Sequence, residues 1–89
     1  MTQPSPTIQF VPDRSRYTLE LDGDVIGKAL YSDEGAIRTF VHTEVDTEFT
    51  GRGFATSLIA RAVAESRDAG KTVQATCPLV AAYLEKNPG

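Results

Sequence analysis

The chain has 89 residues, 40% of them hydrophobic, and a formal net charge of −3. This length supports one packed core and leaves no room for a second, and the acidic balance argues against a general nucleic-acid-binding protein. No apolar run in the sequence is long enough to span a bilayer. The single cysteine cannot build an internal disulfide framework, so we expect a reducing, cytoplasmic environment.

At the N terminus, we expect residues 1–7 to form a flexible arm and residues 8–89 to form a single domain. The segment Met1–Pro6 is polar and contains proline but has neither a basic n-region nor an apolar h-region, so a frayed terminus is a better interpretation than a signal peptide. The apolar segment from Ile8 to Val11 fits either an edge strand or an ordered arm.

Alternating apolar residues predict three strands in the first half of the chain. Residues 17–21 and 25–31 form a hairpin around the Asp22-Gly23 turn, and residues 37–45 form a third strand after a turn cluster at 32–35. Alternation divides the third strand into two faces. One face carries Ile37, Thr39, Val41, Thr43 and Val45, and the other carries Arg38, Phe40, His42 and Glu44.

The second half of the chain predicts a helix, a strand and a second helix. Residues 54–69 have the strongest helical periodicity, with a buried stripe of Ala55, Leu58, Ile59, Ala62, Val63 and Ser66. Residues 72–76 are β-branched and predict a buried strand, and Pro78 favours a shorter helix that ends at 87–89. The order predicts an α+β fold, in which the last strand lies parallel to its predecessor through a right-handed crossover.

The loop before the first helix contains Gly51-Arg52-Gly53. Two glycines that flank one basic residue let backbone amides turn toward one point, and a helix that begins there adds unpaired N–H groups. The loop therefore predicts a site for the phosphate of an anionic cofactor. Arg52 and the hydroxyl of Thr56 could extend this site, but a solvated Arg52 and local helix caps from Thr56 and Ser57 explain them equally well.

Three segments carry a family resemblance: 40–45, 50–58 and 77–80, together with Tyr83. From about Tyr17 to the C terminus, the sequence resembles the small YjdJ-type branch of the Gcn5-related N-acetyltransferases. The resemblance implies a minimal acetyltransferase fold with a mostly antiparallel sheet and a βαβ crossover. It also implies a cofactor wedge between the last two core strands.

Acetyl-coenzyme A is the cofactor that this resemblance implies. Its pyrophosphate is expected on the glycine loop and its pantetheine arm in the wedge between 43–45 and 73–77. The implied cofactor-binding residues are Thr43, Val45, Gly51, Arg52, Gly53, Phe54, Ala55, Thr56 and Cys77. One position departs from the wider superfamily pattern, which begins with Gln or Arg three residues before its key glycine, because Thr50 occupies that place before Gly53.

Within this family framework, His42 and Glu44 are candidates for the general base. They project from the same face of a strand, roughly 7 Å apart, and a base is needed because an amine must lose its proton before it attacks a thioester. We favour Glu44 narrowly. The structural alternatives are a packed His42 beside Phe40 and a Glu44 that pairs with Arg38.

Cys77 and Tyr83 are the other candidate catalytic residues. Cys77 precedes Pro78 at the start of the last helix, where the helix dipole favours a thiolate, and the resemblance places it near the thioester. It could relay the acetyl group, line the site or be a small buried apolar residue. Tyr83 resembles the tyrosine that protonates the departing thiolate in many acetyltransferases, and a core aromatic explains it equally well.

The function expected from the sequence is acetyl transfer from acetyl-coenzyme A to a primary amine, with a protein or peptide lysine as one candidate acceptor. A backbone N–H near 43–45 would polarise the carbonyl, and direct attack is preferred to a Cys77 intermediate. The alternatives are a coenzyme-A-binding module without catalysis and a purely structural interaction domain. We expect no metal, no nucleic acid and no membrane partner, and a monomer or weak homodimer.

Overall fold

The structure is a computed structural model that describes residues 6–88. Most of the arm expected at 1–7 therefore lies outside the described residues, although the first strand already begins at Thr7. Five strands form one sheet in the order of the chain. They are β1 (Thr7–Val11), β2 (Arg16–Leu21), β3 (Asp24–Glu34), β4 (Ile37–Val45) and β5 (Thr72–Ala75).

The pairing within the sheet confirms the predicted topology. Strands β1 to β4 pair antiparallel with their neighbours, and β5 pairs parallel with β4. The sequence of the segment from Ile8 to Val11 fits either an edge strand or an ordered arm. In the structure this segment belongs to the edge strand β1. The α+β fold with a βαβ crossover is therefore the observed one.

Two helices complete the fold, α1 (Phe54–Asp68) and α2 (Pro78–Lys86), with short 3-10 turns at Pro12–Arg14 and Thr47–Phe49. The buried face of α1 consists of Leu58, Ile59, Ala62, Val63 and Ser66, as the periodicity predicts, while Ala55 is half-buried. The apolar residues Leu58, Ile59, Ala62 and Val63 and Val80 of α2 join Tyr17, Leu19, Ala29 and Phe40 of the sheet in one core. The sheet thus has a single buried face toward the helices.

The prediction of one continuous alternation along β4 is wrong, because the strand contains a bulge. Phe40 pairs with Tyr31 and His42 pairs with Leu30, so Val41 has no partner across from it on β3. An extra residue reverses the alternation on either side of it. Arg38 and Phe40 accordingly point into the core, and beyond the bulge Thr43 is the buried residue while His42 and Glu44 are exposed.

Arg38 can be buried because its charge is paired and each of its three guanidinium nitrogens donates a hydrogen bond. Its Nε and Nη2 donate to the two carboxylate oxygens of Asp33 at 2.8 and 2.9 Å. Its Nη1 donates to the Tyr17 hydroxyl and to Ser66 Oγ, both at 3.2 Å, and its guanidinium carbon lies 4.1 Å from the ring centroid of Tyr31. A bidentate ion pair with further hydrogen bonds offsets the cost of removing a charge from water.

Strand β5 is an edge strand and is less buried than predicted. Thr72 and Gln74 are exposed, and Val73 and Ala75 are half-buried. The β-branched sequence suggested a buried strand, but β5 has a neighbour on one side only and has alternating exposed and half-buried residues. Its hydrogen bonds to β4 are what position the start of α2.

Candidate active site

The wedge is the point where β4 and β5 separate. The two strands pair from Ile37 with Thr72 to Phe40 with Ala75. At the end of this ladder the carbonyl of Phe40 accepts hydrogen bonds from the N–H groups of Thr76 and Cys77, at 3.0 and 3.2 Å. Residues 41–45 of β4 then continue without a β5 partner. The sequence placed residues 73–77 on the wedge, but 73–75 belong to the paired ladder.

The glycine loop has the backbone shape that its sequence predicts. Gly51 and Gly53 adopt φ values of 80° and 79°, a region that favours glycine. Gly53 is the N-cap of α1 and makes no side-chain cap hydrogen bond. Within the described residues, the backbone hydrogen bonds donated in this segment come from Thr50 to Thr47 and from Ser57 to Gly53. The amides of residues 51–56 are therefore left without backbone acceptors.

A cavity of about 240 Å³ lies against this loop. Its walls come from the end of β4, the 3-10 turn and the start of α1, and include Val45, Phe49, Gly53, Phe54 and Thr56. A Cβ atom added at Gly53 would meet nothing within 4 Å. The space beside this glycine is open, so a ligand can approach its backbone closely.

Arg52 and Thr50 have different roles in this loop. Arg52 is exposed, and its guanidinium carbon lies 5.7 Å from the ring centroid of Phe49, which leaves the charge free to contact an anion. Thr50, which stands where the wider superfamily pattern has Gln or Arg, donates from Oγ1 to the carbonyl of Thr47 at 2.8 Å. Its hydroxyl thus stabilises the 3-10 turn.

Cys77 lies at the base of the wedge as the N-cap residue of α2. It is buried, with 6% of its surface exposed, and its sulfur lies 3.7 Å from Thr43 Oγ1. Burial raises the pKa of the Cys77 thiol, but the neighbouring amides of Val80 and Leu79 and the Thr43 hydroxyl act in the opposite direction, and the net effect lowers the pKa. The Cys77 thiol therefore loses its proton more readily than its burial alone would allow.

His42 and Glu44 lie together on the exposed face of β4. His42 Nε2 is 3.4 Å from Glu44 Oε1, and Lys28 Nζ is 3.5 Å from the same oxygen. More than half of each side chain is exposed, at 56% for His42 and 54% for Glu44. The alternative of a packed His42 is wrong, because this side chain is exposed, and an Arg38–Glu44 pair is wrong, because the bulge turns Arg38 to the other face, where it pairs with Asp33.

Tyr83 is half-buried: it packs against the core and also lines a groove between α1 and α2. This groove has a volume of about 250 Å³ and is also lined by Thr56 and Leu79. Tyr83 follows Cys77 by six residues of helix, so it lies roughly 9 Å further along the axis of α2. The structure brings Thr43, Val45, Cys77 and the loop residues around one wedge, with Tyr83 at its side.

Sequence reasoning missed two basic residues near the site, Lys28 and Lys86. Lys28 is the direct β3 partner of Glu44, which the register of the β3–β4 hairpin would have suggested if the bulge at Val41 were known. Lys86 lines the groove between the helices. Helical spacing places it three residues after Tyr83, on the same face of α2.

Two classes of site receive no support in residues 6–88. No helix among these residues has both the length and the apolarity that crossing a bilayer would take. Over the same residues, no group of three His, Cys, Asp or Glu side chains is arranged to hold a metal ion.

Comparison with known proteins gives a family and a fold. A family model described as GCN5-related N-acetyl-transferase matches residues 16–89. A GCN5-like candidate N-acetyltransferase from Staphylococcus aureus, solved by NMR, is 19% identical, with a TM-score of 0.69 over 91% of this chain and 79% of that chain. No curated protein sequence matches the chain significantly.

Two crystal structures show the same fold within longer chains. One is N-acetylglutamate synthase from Neisseria gonorrhoeae in complex with coenzyme A and N-acetyl-glutamate, at 17% identity and a TM-score of 0.66 over 82% of this chain and 18% of that chain. The other is ribosomal-protein-alanine N-acetyltransferase from Brucella melitensis, at 20% identity and a TM-score of 0.60 over 84% and 59%. The chain therefore spans less than two thirds of either protein.

Proposed function

The chain belongs to the GCN5-related N-acetyltransferase family, and we propose that it transfers an acetyl group from acetyl-coenzyme A to a primary amine. The observation that carries this proposal is the set of amides at 51–56 without backbone acceptors, at the start of α1 and beside the open wedge. Converging amides and a helix N terminus stabilise a diphosphate. A coenzyme A thioester combines such a diphosphate with an extended arm that suits a strand edge.

The cofactor is proposed to follow the line from the loop to Cys77. Its diphosphate binds the amides of 51–56 with Arg52 as a charged contact, and its pantetheine arm lies along the free edge of residues 41–45. The thioester then reaches the region of Thr43 and Cys77. Val45 and Phe54, which line the cavity at the loop, supply apolar contact there.

The oxyanion that forms on the thioester carbonyl needs a donor in the wedge. We assign this role to a backbone N–H of residues 43–45, because β4 has no β5 partner there. A fixed donor costs no reorganisation when the charge develops. The site would then supply a single backbone donor. One donor suits this reaction, because a thiolate is a good leaving group and the oxyanion needs less stabilisation.

Glu44 is proposed as the general base, with His42 as the alternative. Both side chains are exposed beside the wedge, so an incoming ammonium group can reach them without displacing the core. Glu44 also has Lys28 at 3.5 Å, and a bound acceptor amine could replace Lys28 at the carboxylate. This exchange would bring the nucleophile to the base as part of acceptor binding.

Direct attack of the amine on the thioester is the proposed route. The rival route passes through an acetyl group on the Cys77 sulfur, which the lowered pKa and the position at the wedge favour. The two routes differ in timing, because a covalent route releases free coenzyme A before any amine is added. Tyr83 is the proposed proton donor to the departing thiolate, and Tyr83→Phe tests it.

The acceptor is proposed to be a lysine of a protein or peptide. The face of the sheet that carries His42 and Glu44 is exposed, so it leaves room for a large acceptor. We further propose that the chain belongs to the YjdJ-type branch, that residues 8–89 act as one domain, and that it works in the cytoplasm as a monomer or weak homodimer. A coenzyme-A-binding module without catalysis is the second candidate, because the candidate base is so exposed.

Calorimetric titration of coenzyme A into the purified protein tests the proposal, with Gly53→Asp as the comparison. The Asp side chain would enter the open space beside the loop and would repel the diphosphate. Acetyl-coenzyme A turnover is then measured over a panel of amines and lysine peptides. Binding without turnover over the whole panel favours the module, and absence of binding to the wild type contradicts both candidates.

A further inference from the structure

We propose that the acceptor is an extended peptide that binds as an added antiparallel strand along the free edge of β5, with its lysine opposite Thr76. This inference rests on the proposed function and deepens it, because it names the conformation and the register of the acceptor. Four features carry it: the outward backbone groups of β5, its unprotected edge, the point where that edge ends, and the charge nearby.

The outer edge of β5 presents backbone groups that have no partner in the sheet. The N–H groups of Thr72 and Thr76 donate to carbonyls in and just before β4, at 2.8 and 3.0 Å. Because backbone groups alternate between the two sides of a strand, the N–H and C=O groups of Val73 and Ala75 point away from β4. Within residues 6–88, neither residue is hydrogen-bonded to a turn, a loop or a helix. Each therefore offers a donor and an acceptor to a further strand.

Strand β5 carries few of the features that protect a sheet edge. Natural edges are commonly blocked by charged residues, prolines or bulges. Residues Thr72–Ala75 include no charged residue and no proline, and the pairing between β4 and β5 runs without a register shift. An extended peptide can therefore approach this edge, and main-chain hydrogen bonds to such an edge are a recurring mode of peptide recognition.

The free edge of β5 ends at the wedge. The ladder with β4 stops at Ala75, and the next residue, Thr76, is exposed on the face of the sheet opposite the helices. In an antiparallel pair, side chains directly opposite each other lie on the same face. A lysine opposite Thr76 would therefore lie on the face that also carries His42 and Glu44. Two strand spacings, roughly 10 Å, would separate its backbone from β4, a gap that a lysine and a β4 side chain can span together.

Charge favours a lysine peptide over a second copy of the chain as the occupant. A cavity of about 440 Å³ beside the wedge is lined by Glu44, Asp46 and Glu48, whose carboxylates attract a cationic side chain. The chain itself has a formal net charge of −3, so two copies repel each other. Self-pairing would also depend on a strand of four residues, roughly 13 Å long, whereas stable protein interfaces bury about 1,200 Å² or more.

The register predicts an alternating dependence on the amides of the peptide. With the lysine opposite Thr76, the first and third residues after it lie opposite Ala75 and Val73 and donate their N–H groups to β5. The second residue after the lysine points its N–H away from β5. N-methylation removes one amide proton at a time, so a methyl group at the second residue is the matched control for methyl groups at the first and third.

The experiment measures kcat/KM for acetylation of a capped peptide in which one lysine precedes a run of threonine and valine residues. We expect N-methylation at the first or third residue after the lysine to lower kcat/KM by about tenfold, the upper range for one lost hydrogen bond. N-methylation at the second residue should change kcat/KM by less than about twofold. Butylamine serves as the reference acceptor, because it has no backbone that could pair with β5.

Two substitutions at Val73 test the same hydrogen bonds from the side of the protein. Val73→Pro removes the outward N–H group, and Val73→Ala keeps this group while it also loses apolar contact. The measured quantity is the ratio of kcat/KM for the peptide to kcat/KM for butylamine within each protein. We expect Val73→Pro to lower this ratio by about tenfold and Val73→Ala to keep it within about twofold of the wild type. A general loss of folded protein leaves the ratio unchanged.

The inference is overturned if the three methylated peptides behave alike, if butylamine is acetylated and the peptide is not, or if Val73→Pro keeps the wild-type ratio. A dimer in sedimentation that Val73→Pro dissociates would assign the edge to a second copy and would also overturn it. Each of these outcomes leaves the proposed acetyl transfer in place. If neither the peptide nor butylamine is acetylated, the proposed function fails together with the inference.

Discussion

The Cys77 sulfur lies 3.7 Å from Thr43 Oγ1, and this contact joins the two sides of the wedge. Thr43 belongs to the half of β4 that has no β5 partner, and Cys77 is the N-cap residue of α2. A ligand in the wedge would therefore touch both Thr43 and Cys77. The reactivity of the Cys77 thiol should then change when a ligand binds.

The first prediction concerns the reactivity of Cys77. Because the folded structure lowers the pKa of this thiol, its alkylation should titrate with a midpoint below that of an unstructured cysteine, and saturating coenzyme A should slow it severalfold. Thr43→Val removes the hydroxyl that can donate to the thiolate, so the midpoint should move upward. The reaction is followed by mass spectrometry against pH.

Thr39→Val is the control for this measurement, since Thr39 lies on β4 before the bulge and pairs with Gln74. It should leave the titration of Cys77 unchanged. Equal midpoints in the wild type and in Thr43→Val would contradict the role assigned to the hydroxyl.

The second prediction separates backbone strain from cofactor binding at the glycine loop. Gly53 and Gly35 both have positive φ values, 79° and 60°, and both have open space where a Cβ atom would lie. Each change to Ala should lower the free energy of unfolding by about 1 kcal/mol, because both place a Cβ in the left-handed region. Only Gly53→Ala should also weaken the binding of coenzyme A, as measured by calorimetry. An equal loss of affinity in Gly35→Ala would contradict the proposed site.

The third prediction concerns acid stability. Hydrogen bonds from Arg38 lower the pKa of Asp33, against a smaller opposing effect of burial. Since the folded pKa lies below the unfolded one, the stabilisation is complete above the unfolded value and is lost as the pH falls through the folded value. Asp33→Asn should cost about 1–3 kcal/mol at neutral pH and should flatten this acid-side decline, as measured by urea unfolding at several pH values.

Asp13→Asn is the matched control, because Asp13 is exposed in the first 3-10 turn. It should leave both the stability at neutral pH and the acid-side decline nearly unchanged. A decline in Asp33→Asn as steep as in the wild type would show that other carboxylates dominate the acid transition.

The fourth prediction ranks the two candidate bases. Glu44→Gln should lower kcat by about a hundredfold, the lower end of what a general base contributes, whereas His42→Gln should lower it less. Glu34→Gln, at the opposite end of the β3–β4 hairpin, should leave kcat unchanged. Steady-state kinetics with a responsive amine provide the measurement, and a larger loss in His42→Gln reverses the assignment.

The elements that could be predicted from the sequence are those whose information is local. The period of α1 and the Asp22-Gly23 turn are set by neighbouring residues, and so are the positive φ values at Gly51 and Gly53. The glycine loop could therefore be placed before α1 without knowledge of the rest of the chain.

Features that depend on distant pairing could not be predicted. The bulge at Val41 arises from the register between β3 and β4, and the alternation of β4 alone contains no sign of it. The contact between Thr43 and Cys77 joins residues 34 positions apart. The exposure of β5 follows from its place at the edge of the sheet, whereas its β-branched composition suits a central strand equally well.

The extra residue at Val41 gives β4 two independent halves. Before it, inward side chains such as Arg38 contribute to the stability of the protein. After it, outward side chains such as His42 and Glu44 are accessible to molecules that approach from solvent. A change of acceptor preference could thus be sought by substituting the second half alone. Deleting Val41 would instead make the Phe40–Tyr31 and His42–Leu30 pairs consecutive, so β4 should regain an unbroken alternation with His42 and Glu44 still exposed.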